Sequence, residues 1–250
     1  MPHPDLGVPM ITDLFRLSKS VAAVPVGGVF RFFRRRRTSM HAILEVEVDR
    51  IDDVLAREQW LMSLRRASVD DAVEGALFRV RGAPGGWAAC QDLRATIAVL
   101  REAGKATYAW VESPTNATLW IASACERVFG VPTGEVNLVG VGTEMMFFGQ
   151  ALENLGLQPD LEAAGAYKSF GEPFTRSFAS KANLKATTEL IEDLNDQLLE
   201  AIAADRGLDR SRLDAIVARA PLANVEAVVD GLIDQIVYED QLNTWLEEQH

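Results

Sequence analysis

Two hundred and fifty residues hold one large domain or two small ones, and 48% hydrophobic with 24% charged residues is a folded composition that excludes a disordered or collagen-like chain. Two cysteines, Cys90 and Cys125, exclude a disulfide scaffold; with no CxxC pair and histidines only at His3, His41 and His250, no metal site and no cofactor are expected. The net charge of −11 divides into +5 over residues 1–40 and −16 over the rest, and an acidic body argues against nucleic acid as a partner.

The first 40 residues read as a basic, partly apolar arm. Val21–Phe30 is too short and too broken by Pro25, Gly27 and Gly28 to cross a bilayer, and the arginine run Arg34–Arg37 follows it, the reverse of a secretory signal. Aromatic residues among arginines, as in Phe30-Arg31-Phe32-Phe33-Arg34, suit a peripheral anchor on an anionic membrane surface. A floppy tail, or one that docks on a partner, is the plainer alternative. The expected location is therefore the cell membrane, peripherally, or the cytoplasm.

From residue 41 to 250 strands and helices alternate. Leu44, Val46 and Val48 alternate with Glu45, Glu47 and Asp49, which predicts a strand with one wet face. A helix over 51–66 and a strand over 76–81 follow, then the turn Gly82-Ala83-Pro84-Gly85-Gly86. A second helix carries Leu93, Ile97 and Leu100 and stops at Gly104, before a third strand over 107–112. The spacing then predicts a helix over 116–126 and short apolar segments over 127–131 and 135–141 around Pro132-Thr133-Gly134. A further helix over 143–156 would place Met145, Met146, Phe147 and Phe148 in the core. A short strand near Leu161, a loop over 165–174, a long helix over 183–205 and a helical tail from Ser211 complete the chain. The pattern implies an α/β domain with a mostly parallel sheet flanked by helices.

Two segments could carry chemistry. The paired glycines Gly85 and Gly86, between a strand and a helix, free backbone N–H groups to face a ligand and stabilise an oxyanion, although Pro-Gly-Gly also serves as an ordinary turn. The loop Ala166-Tyr167-Lys168-Ser169 through Phe174 sets one lysine among aromatic residues. A lysine acts as a general base only when neutral, which asks an apolar pocket to lower an amine pKa from about 10.4 toward 8, roughly 3 kcal/mol. A solvated surface lysine is the alternative.

The two segments in this order, with Gly104-Lys105, Pro132-Thr133-Gly134, Glu172-Pro173-Phe174 and the closing Asp230-Gly231-Leu232-Ile233-Asp234, resemble the signal peptide peptidases of the SppA type, also called protease IV. The resemblance runs from about residue 42 to 240. It implies a ClpP/crotonase-like fold and a Ser–Lys dyad peptidase acting on leftover signal peptides. It assigns Lys168 as the catalytic base and Gly85 and Gly86 as oxyanion donors. The family's serine falls on Asn116, and an amide cannot act as that nucleophile. Ser113 and Ser123 are close in sequence but outside the matching position. The chain thus resembles a lysine-bearing half whose serine comes from a homologous partner domain or subunit, in a homo-oligomer with the helices from Ser211 onward as contact elements. The alternative is a non-catalytic crotonase-fold scaffold or membrane-surface adaptor. Acyl-CoA chemistry of the crotonase type would use the glycines but has no use for the Tyr-Lys-Ser loop.

Overall fold

A computed structural model describes residues 30–32, 42–162 and 164–249. Its main sheet has six strands in the order β1-β2-β3-β4-β5-β8. β2 (Ala42–Val48), β3 (Val73–Val80), β4 (Ala106–Val111), β5 (Arg127–Gly130) and β8 (Gln235–Ile236) are mutually parallel. β1 (Phe30–Phe32) pairs antiparallel with β2, so the sheet takes in three residues of the segment read from sequence as arm. That pairing occupies backbone groups that β2 would otherwise present as an open edge. The other residues of that segment lie outside the described ones, and with them the proposed membrane anchor.

The crossover helices form where the sequence supplies their ends. α1 (Val54–Ala67) starts at Asp53, whose carboxylate accepts from the Ala56 amide at 2.8 Å. α2 (Trp87–Glu102) follows Gly86 and stops before Gly104, whose φ of +74° suits only glycine without strain. α3 (Asn116–Ser123) is wholly buried beyond its first turn. The 26-residue α6 (Lys181–Arg206) is capped by Ser180 and ends on Gly207 at φ +63°. α7 (Arg210–Val217), α8 (Asn224–Asp230) and the small pair β6 (Glu135–Val136) and β7 (Leu222–Ala223) close that side.

These helices bury one face of the sheet around Val46, Phe78, Leu93, Ile97, Leu119 and Ile202. The other face is covered by α9 (Glu239–Gln249), whose Leu242 and Leu246 pack on Tyr108, Trp110 and Phe129. The face of β2 expected to be wet is therefore dry at Glu45, half-covered at Glu47 and open only at Asp49. Glu45 is only 4% exposed and pairs with Arg79 of β3, which reaches Glu239 of α9 at 2.8 Å. Alternation shows which side chains share a face, not what covers it. Leu213 and Ile216 of α7 and Leu242 and Leu246 of α9 lie in the core of this chain.

The largest departure lies between the two halves of the fold. From Val139 to Gln197 no described residue is buried. The expected helix over 143–156 shrinks to α4 (Gly149–Asn154), no strand forms among the described residues near Leu161, and α5 (Glu172–Thr175) is a single turn. Met145, Met146 and Phe148 are exposed rather than in the core, with Met146 71% exposed. The segment is an arm that leaves the body at Gly140 and returns along α6.

Candidate active site

The carboxyl ends of β3 and β4, adjacent in the sheet, bring two helix starts together. Beyond β3 the chain turns over Gly82–Gly86. The amides of Arg81 and Gly82 both donate to the Val48 carbonyl, at 2.9 and 3.0 Å, and the Ile51 amide donates to Pro84 O at 3.3 Å. The Arg81 guanidinium fixes the start of the turn through Glu47 at 3.2 Å and Glu239 at 3.1 Å. The two glycines differ in why they are glycine. A Cβ at Gly85 would come 2.9 Å from Arg57 Nη1 and 3.0 Å from Ala89 Cβ, whereas at Gly86 nothing lies within 4 Å. Neither has a positive φ. At Gly85 a side chain would press on Ala89 and displace the Arg57 guanidinium, whereas the backbone of Gly86 is open to approach.

Beyond β4 the chain enters α3 through Thr115, whose amide donates to Thr118 Oγ1 at 2.7 Å. Asn116 is the first helical residue. Its Nδ2 donates to Gly140 O at 2.7 Å and its Oδ1 accepts from the Val139 amide at 3.0 Å. The helices α2 and α3 meet beside these starts, with the Trp87 and Trp120 rings 4.5 Å apart.

Neither nearby serine is placed as a substitute nucleophile. Ser123, fully buried at the far end of α3, donates to Asp205, which also pairs with Arg94 at 2.8 Å. Ser113 is exposed and accepts from the Glu135 amide at 3.4 Å. The Ser123 hydroxyl is held within the scaffold, and that of Ser113 has one long contact at the surface.

Lys168 lies apart from this cluster, on the arm. Its amide donates to Gly165 O at 3.1 Å, its side chain is exposed, and Tyr167 and Phe170 beside it are 64% and 85% exposed. No hydrogen bond or ion pair joins it to Gly85, Gly86 or Asn116. The aromatic residues around the lysine are present, but they do not enclose it. Glu172 braces the arm's return: its carboxylate accepts from the Ser180 amide at 2.9 Å and Asn183 Nδ2 at 3.0 Å. Those bonds, Ser180 foremost, with Asn183 and the Arg176 charge adding, hold its pKa below the usual carboxylate value. Among the described residues no His/Cys/Asp/Glu cluster could hold a metal ion, and no helix is long and apolar enough to cross a membrane.

Three residues that shape the site carried no signal in the sequence. Arg57 stands against Gly85, Asn195 of α6 accepts from the Val141 amide at 3.1 Å, and fully buried Asn224 donates to Glu112 O and Val131 O at 2.8 and 2.9 Å. Asn224 also explains the Pro132-Thr133-Gly134 turn, because a Cβ at Gly134 would lie 2.4 Å from its Nδ2 and 1.8 Å from Glu112 O.

A mostly parallel sheet flanked by helices, with two helix starts brought together at its carboxyl edge, is an α/β architecture. A solved enoyl-CoA hydrotase/isomerase family protein from Silicibacter pomeroyi superposes over 88% of this chain and 80% of its own, with a TM-score of 0.51 at 17% identity, which establishes the fold alone. Peptidase family S49 matches residues 99–250, and the chain belongs to that family. It is 22% identical over 200 residues to the chloroplastic serine protease SPPA of Arabidopsis thaliana, covering 80% of this chain and 30% of that one. It is 27% identical over 132 residues to Protease 4 of Salmonella typhi (53% and 20%), and 23% over 204 residues to a putative signal peptide peptidase SppA of Enterococcus faecium (79% and 59%). The chain thus spans less than two thirds of each of these relatives.

Proposed function

We propose that this chain is the lysine-bearing half of a Ser–Lys peptidase, with Lys168 as general base and Gly85 and Gly86 as oxyanion donors. The nucleophilic serine would come from a homologous domain or subunit. One observation carries the reading: Lys168 sits on an arm with no buried residue, beside exposed Tyr167 and Phe170. A lysine base needs a dry surround. The described residues of this chain do not supply it; a second surface would, and the unburied aromatic and methionine side chains of the arm are what such a surface would cover. Asn116 at the serine's place supports the same division of labour.

In the reaction, the incoming serine Oγ attacks the scissile carbonyl while its proton passes to Lys168 Nζ. Backbone N–H groups of the Gly85–Gly86 turn bind the carbonyl oxygen as it becomes negative. Lys168 then returns the proton to the leaving amine, and water releases the acyl group by the reverse sequence. The substrates are peptides, remnants of signal peptides by analogy with the relatives, and the assembly is an oligomer at the membrane surface or in the cytoplasm.

The test is fluorophosphonate labelling and peptide cleavage by the chain alone and mixed with a serine-bearing homologous domain. Alone, it should neither label nor cleave. The mixture should do both, and Lys168→Met should reduce cleavage at least 100-fold. Labelling of the chain alone at Ser113 or Ser123, or full activity of the Lys168→Met mixture, would overturn the reading. A chain that joins the assembly without affecting cleavage would be a scaffold.

A further inference from the structure

The carboxamide of Asn116 does work that a serine could not. It serves two backbone groups at once, the Val139 N–H and the Gly140 C=O, and the next group along, the Val141 N–H, is taken by Asn195 Oδ1. Three successive residues at the point where the arm leaves the body thus each have one backbone group held by a side-chain amide, Val139 and Gly140 by Asn116 of α3 and Val141 by Asn195 of α6. Gly140 stands between them at φ +77°, a left-handed conformation, and a Cβ there would come 3.0 Å from Asn195 Oδ1. Just upstream, the Asn137 amide donates to Pro114 O at 2.8 Å, so the arm's approach runs along the entrance to α3.

Beyond this root the arm has no core of its own. It is held to itself by the Phe148 and Gly149 amides, which donate to Pro173 O and Arg176 O at 2.6 and 3.1 Å, and to α6 by Glu172. The direction in which it projects Lys168 is therefore set at its two attachments, the Asn116–Asn195 clasp and the Ser180 junction. A serine hydroxyl can donate and accept, but its single oxygen ends one bond short of the two atoms by which Asn116 reaches Gly140 and Val139.

We infer that Asn116 is a positioning residue: at the place of the nucleophile it clasps the root of the lysine arm and, with Asn195, fixes how this domain presents Lys168 to its partner. The inference rests on the proposed division of labour for its consequence, but not for its geometry. An asparagine here trades the serine's chemistry for a fixed arm.

The experiment places nitroxide labels at Phe170→Cys on the arm and Glu102→Cys at the exposed end of α2 in the full chain, where native Cys90 and Cys125 are buried and do not label. Electron-spin distance measurement should give one narrow population for the parent. Asn116→Ala and Asn116→Ser should each broaden it at least twofold, and Asn195→Ala should do so through Val141 if the Asn116 variants do not fold. Exchange of the Val139 amide should accelerate at least tenfold in the Asn116 variants. In the mixture with a serine-bearing domain, these variants should lower kcat about tenfold with KM within twofold. Unchanged width with unchanged Val139 exchange would overturn the clasp while leaving the dyad reading intact. An inactive parent mixture would remove the dyad reading while the widths still decide the clasp.

Discussion

Glu45 and Arg79 form an ion pair that the sheet and α9 together close off from water, each side chain only 5% exposed. Arg79 also lies 5.7 Å from the Trp110 ring centre and pairs with Glu239, whereas Glu45 Oε2 has no partner among the described residues. Removing the arginine would strand a buried carboxylate. Arg79→Leu should therefore cost about 3–5 kcal/mol in urea unfolding, and the double change with Glu45→Leu should recover most of it. If the single and double variants are equally destabilised, packing rather than charge decides the site. The two cysteines behave in the opposite way, as apolar fillers. Burial pushes both thiols up, against the weaker pull of Arg94 on Cys90 and of Arg101 and Arg94 on Cys125. Neither should react with iodoacetamide at pH 8 in the native chain within an hour, and both should react in denaturant. Rapid native alkylation of either would show that its surroundings open.

At the level of elements, the readable parts are those whose signals are local. The strand of alternating Leu44, Val46 and Val48, the helix ended by Gly104 and the long helix closed at Gly207 all appear within a few residues of their expected bounds, because caps and periodicity act over one or two turns. The unreadable parts depend on a second element. Nothing in Gln235–Ile236 announces a strand, since a two-residue partner of β5 is defined by where the chain arrives. The wet face expected on β2 was an inference about covering, and the cover, α9, lies almost two hundred residues away. Leu242 is the measure of that cover. It is fully buried against the Tyr108, Trp110 and Phe129 face, so Leu242→Ala should lower stability by about 2–4 kcal/mol and raise binding of a hydrophobic dye. A cost below about 1 kcal/mol would mean that α9 contributes little to holding the sheet.

On the scale of the whole molecule, the body is legible and the arm is not, for one physical reason. Sequence patterning identifies apolar residues that need burial, but it cannot say whether the burying surface belongs to the same chain. Met145, Met146 and Phe148 read as core for this reason, and Lys168, assigned by resemblance, is exposed. Gly85, Gly86 and Asn116 fall where strand-to-helix turns put them; half-buried Asn195 and buried Asn224 carry no signal because an amide that holds a distant backbone group looks in sequence like any surface asparagine. The arm's attachment to α6 should also respond to pH. Glu172, with its pKa lowered mainly by hydrogen bonding from Ser180, stabilises the junction when ionised. Its folded pKa is below its unfolded value, so the contribution is complete above about pH 5 and is lost as pH falls through the folded pKa. Amide exchange at Ser180 and along 165–178, corrected for the intrinsic pH dependence, should therefore rise between about pH 5 and pH 3 while the β3 and β4 amides stay protected. Glu172→Gln can still accept from Ser180 and Asn183 but cannot titrate, so it should flatten this response without abolishing protection at pH 7. If the arm loosens equally in the parent and in Glu172→Gln, another group controls the junction and the Glu172 brace is not what holds the arm to α6.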